Sequence, residues 1–137
     1  MAVLLDGSVV VAAADIADLN HAAAVAWFER VDEPLFITPF TLSDLDHVLQ
    51  RELGATATLA VVDTVVRGAI RLVAATPADL ARAAVLMIEA AEHRPRLTEA
   101  ALVAIAERLD IRRIGTFDRR PIAIFKPRHV RSFDLEP

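Results

Sequence analysis

Short apolar runs alternate with longer amphipathic stretches along this chain, which predicts strands interleaved with helices. Val3 to Leu5 reads as a buried first strand, stopped at Asp6-Gly7-Ser8 before a short helix over Val9 to Ala14. Asn20 is placed to cap a helix carrying Val25, Trp27 and Phe28. Leu35 to Thr38 predicts the second strand, ended by Pro39. Thr41 then caps a helix to about Leu53, with Leu42, Leu45, Val48 and Leu49 on one face. Gly54 ends it, and another helix covers Ala55 to Arg67. Ile70 to Ala74 predicts the third strand, and Thr76-Pro77 opens a helix to about Ala91, with proline at the favoured first position. After a loop at His93 to Arg96, a helix over Thr98 to Leu109 turns Leu102, Ile105, Ala106 and Leu109 inward. Arg113 to Phe117 predicts the fourth strand, and Ile122 to Phe125 a short fifth.

Such alternation belongs to the α/β class: a three-layer α/β/α domain around a mostly parallel sheet of four to five strands. No repeat or Gly/Ser linker divides the 137 residues, so residues 1–137 are expected to form one domain. The longest stretches without a charged residue, such as Leu53 to Val62, span ten positions. A membrane-crossing helix needs about 20, so none is expected. No basic residue precedes Asp6, which argues against a signal peptide. Cysteine is absent, which excludes disulfides, thiolate zinc sites and thiol nucleophiles and points to a reducing, cytoplasmic setting.

The net charge is −4, unevenly spread. Residues 1–107 carry 7 basic and 15 acidic side chains, and residues 108–137 carry 8 basic and 4 acidic ones. A chain of this kind does not coat nucleic acid by bulk charge, but its basic final segment can meet a polyanion locally.

Candidate chemistry lies at element ends. In an open α/β sheet, ligands bind beyond the carboxyl ends of the strands. Asp6 follows the first strand and Asp118 the fourth, while Asp44 and Glu99 fall in the first turns of predicted helices. Four carboxylates without cysteine suit a hard cation such as Mg²⁺ or Mn²⁺. Each acid also fits a plainer role. Asp6-Gly7-Ser8 is a common turn, Thr41 to Asp44 resembles a capping box, Thr98-Glu99 a cap with a first-turn acid, and Asp118 a turn starter. Thr76 to Asp79 shows the same capping pattern and is assigned no chemistry. Only the joint placement of the four acids argues for a site.

The four histidines, His21, His47, His93 and His129, share no metal-ligand spacing. Aromatic residues are few, so base-stacking platforms are scarce, and Trp27, Phe28 and Phe40 read as core or interface residues. The four glycines are too dispersed for a nucleotide-binding loop. An aspartyl phosphatase would want a second acid at Ser8, and a receiver-type phosphoacceptor an acid after the third strand, where Ala74-Ala75-Thr76 stands. A mean hydropathy of +0.41 leaves apolar helix surface for protein contacts, around Val61, Val62, Val65 and Val66 and over Ala83 to Ile88.

The segments LLDGSVVVAAA, ITPFTLSDLDHVL, RLTEAALVAIAERL and RRIGTFDRRPIAIFKPRHVRSFDLEP, in that order, resemble the PIN-domain family, specifically toxins of the VapC type. The last segment, with Thr116-Phe117-Asp118-Arg119-Arg120, is the most specific. The resemblance implies a PIN-like fold and a metal-dependent ribonuclease toxin, with Mg²⁺ or Mn²⁺ held by Asp6, Glu99 and Asp118. Asp44 completes the cluster as a ligand or by orienting the attacking water. Ser8 and Thr116 support the ligands as hydrogen-bonding neighbours. Asp44 stands where the family usually has glutamate, and Glu99 where it usually has aspartate, so one arm is a methylene shorter and the other longer. A catalytically weak or inactive module that binds RNA or an antitoxin is the alternative. Arg112, Arg119 and Arg120 are the first candidates for RNA phosphate contacts, among a set that includes Arg113, Lys126, Arg128 and Arg131. A cognate antitoxin and a homodimer are the implied partners.

Overall fold

Val3, Leu4 and Leu5 are completely buried, as a strand covered on both faces must be. The computed structural model describes all 137 residues and places this strand at the centre of a five-stranded parallel sheet. The strands are β1 (Val3–Leu5), β2 (Leu35–Ile37), β3 (Arg71–Leu72), β4 (Arg113–Gly115) and β5 (Asp134–Glu136), in spatial order β3-β2-β1-β4-β5. The helices are α1 (Gly7–Ala14), α2 (His21–Arg30), α3 (Pro39–Leu53), α4 (Ala55–Val66), α5 (Pro77–Glu89), α6 (Leu97–Leu109) and α7 (Arg120–Ala123).

The side-chain alternation of β1 divides the core. Val3 and Leu5 pack with Val9, Trp27, Ile37, Leu45 and Leu49 on one face. Leu4 packs with Leu102, Ile105, Ile114 and Ile122 on the other. The expected three layers follow. Each fully buried leucine or isoleucine stabilises the fold by about 1.5–3 kcal/mol. From β1 the chain steps outward to β2 and β3, then returns to the opposite side of β1 for β4 and β5. The order therefore reverses between β1 and β4, and a crevice opens at their carboxyl ends.

Several local expectations are corrected. Pro39 does not merely end β2; it opens α3, because a first-turn proline forfeits no helical hydrogen bond. Thr38, not Thr41, is the cap, its hydroxyl accepting from Thr41 N–H at 3.1 Å. Asp44 thus lies in the second turn and caps nothing. Asn20 precedes α2 without a side-chain capping bond. The loop expected at His93 to Arg96 is in part a 3₁₀ turn over Ala91–His93, left through Arg94 in the left-handed region. Leu109, expected inward, is 40% exposed because α6 ends there. Ile122 to Phe125 is not a strand: Pro121 favours a helical first turn, which gives α7. The fifth strand is Asp134–Glu136, whose Leu135 packs on the core between two charged neighbours.

Thr76 and Asp79 form a reciprocal capping box, and Arg108 Nε donates to Asp79 at 2.9 Å. Burial pushes the Asp79 carboxyl up, but Arg108 and the Thr76 donors outweigh it and hold it below its ordinary value of 3.8. Burial likewise raises Glu107, and Arg82 with the Arg128 N–H more than offsets this. Because folding depresses these values, the stability they contribute is complete above about pH 4.5 and is lost as the pH falls through the folded values. Acid titration followed by circular dichroism will show this limb. In Asp79→Asn its slope falls by up to about 1.4 kcal/mol per pH unit, one proton's worth. A slope identical to that of the natural protein would refute the assignment.

Candidate active site

Asp6 begins where β1 ends, its N–H still bonded to the Gly115 carbonyl at 2.9 Å. Its side chain caps α1 and gathers three donors on Oδ2: Ser8 N–H at 3.4 Å, Ser8 Oγ at 2.7 Å and Thr116 Oγ1 at 2.8 Å. The same hydroxyls accept from the loop after β4. Ser8 Oγ takes the Phe117 N–H at 2.9 Å, and Thr116 Oγ1 takes the Asp118 N–H at 2.9 Å. Two short side chains thereby fasten the ends of β1 and β4 together. Asp118 projects from this loop and is exposed.

From the other side come α3 and α6. Asp44 Oδ2 accepts from Arg96 Nη2 and from Thr98 Oγ1, each at 2.7 Å. Glu99, in the first turn of α6, is about nine-tenths buried, and its Oε2 has no hydrogen-bond partner. Burial raises the Glu99 carboxyl above its ordinary value, and the charges of Asp6 and Asp44 add to this while Arg96 opposes it. Asp6, Asp44, Glu99 and Asp118 all line one pocket of about 400 Å³, shared with Asp18, His47 and Arg96.

The donors suit Mg²⁺ or Mn²⁺: they are hard carboxylate oxygens, and one of them is buried and unspent. Asp6 and Glu99 feel each other's charge, a repulsion that a cation would relieve. As the side chains stand, no three carboxylate or imidazole groups meet closely enough to ligate one ion together. Arg96 and Thr98 take up one oxygen of Asp44, and Asp118 stands out in solvent.

The PIN-domain family model matches residues 3–126. The chain belongs to the PIN-domain family. Ribonuclease VapC26 of Mycobacterium tuberculosis (strain ATCC 25618 / H37Rv) is 29% identical over 124 residues, 90% of this chain and 92% of that protein. Among solved structures, M. tuberculosis VapC20, described as a sarcin–ricin-loop-cleaving toxin, superposes with a TM-score of 0.83 at 19% identity, covering 94% of this chain and 98% of that one. FitAcB from Neisseria gonorrhoeae follows with a TM-score of 0.70 at 14% identity, covering 100% and 97%. VapBC2 from Rickettsia felis, bound to a DNA fragment from their promoter, has a TM-score of 0.68 at 10% identity, covering 99% and 98%. These likenesses show that the chain has the VapC PIN fold.

On this PIN fold the four expected acids share one pocket, and Ser8 and Thr116 bridge two of the segments that bear them. The basic residues are less uniform. Arg113 is tied to Glu136 and Glu33 and is not free for a phosphate. Arg112 pairs with Asp110, and Arg119 donates to the Pro137 carbonyl. Arg120 is exposed with no ion-pair partner. Sequence reasoning missed Arg96, a cation that lines the pocket. It stands two residues before Thr98 in a segment with no periodic signal, and its partner Asp44 is 52 positions away. No helix is long and apolar enough to cross a membrane.

Proposed function

We propose that this chain is a VapC-type ribonuclease toxin that hydrolyses RNA phosphodiester bonds with Mg²⁺ or Mn²⁺ and is neutralised by a cognate antitoxin. One observation carries the reading: four carboxylates from β1, α3, α6 and the loop after β4 converge on a single pocket of a PIN fold. The similarity to a protein named as a ribonuclease supports RNA as the substrate.

Asp6, Glu99 and Asp118 would hold the metal, directly or through water, and Asp44 would complete the cluster by ligation or by orienting the attacking water. A bound divalent ion supplies Lewis-acid polarisation of a phosphate oxygen and a more acidic water. Ser8 and Thr116 keep Asp6 aimed by donating to its Oδ2. Arg96, two-thirds exposed at the pocket mouth, neutralises Asp44 and adds a cation beside the path of the phosphate backbone. Arg112, Arg119 and Arg120 contact RNA phosphates further out. The molecule works in the cytoplasm as a single domain over residues 1–137. Apolar surface remains on α4 and α5, at Leu59, Val66, Leu80 and Ile88, and supports both a homodimer and an antitoxin contact.

The test is RNA hydrolysis by the purified protein with Mg²⁺ or Mn²⁺, then with excess chelator, then with metal restored. Cleavage that stops and resumes with the metal is expected. Cleavage indifferent to chelator would sink the mechanism. RNA or antitoxin binding without any cleavage would favour the weak or inactive module, as the exchanged Asp44 and Glu99 allow.

A further inference from the structure

Glu136 is in β5, beyond the residues that the family model matches, yet it is wired into the acidic pocket. Its carboxylate receives Arg113 Nε on Oε2 at 2.9 Å, and Arg113 Nη2 at 2.7 Å with Trp27 Nε1 at 3.1 Å on Oε1. Arg113 also reaches Glu33 in the segment before β2. The Glu136 carbonyl accepts the Thr116 N–H at 2.7 Å. Thr116 in turn gives its hydroxyl proton to Asp6 and receives the Asp118 N–H. Behind this contact lies the Trp27 indole, close enough to residue 115 that a Cβ there would meet Cη2 at 2.8 Å.

We propose that Glu136 is a positioning residue for the acidic pocket, acting through the Thr116 backbone to aim Asp6 and Asp118. This rests on the reading of that pocket as a divalent-cation site. β5 pairs through only three ladder residues at the edge of the sheet, and its grip on Thr116 is secured by the Trp27 and Arg113 anchors, which are lost with the Glu136 carboxylate. Burial of Thr116 leaves its N–H no water to fall back on, so loosening β5 disorders the hydroxyl that holds Asp6.

The experiment uses the full chain with Glu136→Ala and Glu136→Gln, and Asp79→Asn as a change to a buried ion pair and helix cap elsewhere. Amide hydrogen exchange by NMR, without metal, is expected to be about tenfold faster at Thr116 and Asp118 in Glu136→Ala, with the Leu4 and Leu102 amides little changed. Calorimetric Mn²⁺ affinity falls about tenfold, as loss of a ligand-orienting partner typically produces. Glu136→Gln, whose amide oxygen still accepts from Trp27 and Arg113, returns both to within about threefold of the natural protein without reaching its values. Emission from Trp27, the single tryptophan, shifts in Glu136→Ala and not in Asp79→Asn. Exchange and affinity that match the natural protein, or that change only in step with the whole core, would overturn the proposal. If Glu136→Ala does not fold, wild-type exchange at Thr116 in Glu136→Gln overturns it instead. Should the natural protein bind no Mn²⁺, the metal reading falls by itself, and the exchange data still decide the positioning role.

Discussion

Asp6→Asn removes divalent-dependent RNA cleavage, by at least about 100-fold in kcat, and leaves the thermal midpoint nearly where it was. The two halves have separate physical causes. Asparagine caps a helix about as well as aspartate, and its side-chain oxygen still accepts from Ser8 and Thr116, so α1 and the β1–β4 junction persist. What disappears is the charge. A neutral amide is a poor ligand for a hard divalent ion, and loss even of a ligand's supporting partner costs about 10- to 100-fold. Removing that charge also relieves one of the causes that raise Glu99, so its carboxyl moves back towards its ordinary value. The measurement pairs initial cleavage rates at saturating Mn²⁺ with a melting curve on the same sample. Equal activity in the mutant, or a midpoint that collapses with it, would remove Asp6 from the chemistry.

Gly115→Ala destabilises the fold by about 1–3 kcal/mol, a midpoint lower by roughly 4–12 °C, with a changed Trp27 emission. The glycine has no unusual backbone angle to protect; the need is for space. A Cβ at this position would lie 2.8 Å from Trp27 Cη2 and 3.1 Å from Leu5 Cδ2. Leu5 is fully buried in the central strand, and Trp27 is held at Nε1 by Glu136, so neither side chain has free room to withdraw. The strain also reaches the site, because Gly115 O accepts the Asp6 N–H. Differential scanning calorimetry measures the loss. A midpoint within 1 °C of the natural protein would mean, at about 4 °C per kcal/mol, that the indole shifts at almost no cost.

How legible the site was depended on distance along the chain. Asp6 and Asp118 declared themselves because each follows an apolar strand run by at most three residues, and the carboxyl ends of strands are where α/β ligands gather. Ser8 and Thr116 came with them as hydroxyl neighbours in the same short segments. The first-turn place expected for Asp44 failed because Thr38 and Thr41 are both competent caps and Pro39 decides between them. The fifth strand was misplaced because Ile122 to Phe125 is more apolar than Asp134–Glu136. Propensity ranks the former higher, while the open edge of β4 accepts the latter.

Local pattern determined the class of this protein, most of its elements, and the acids that end two of its strands, because helix and strand periods and caps act over a few residues. The tertiary structure alone decided that β1 and β4 lie side by side, that Arg96 neutralises Asp44, that one oxygen of Glu99 is buried unpaired, and that Trp27, Arg113 and Glu136 back the site. Those contacts join positions from 23 to 110 residues apart. Their energy comes from packing and from charges brought out of water together, and neither exists until the sheet has closed around its core.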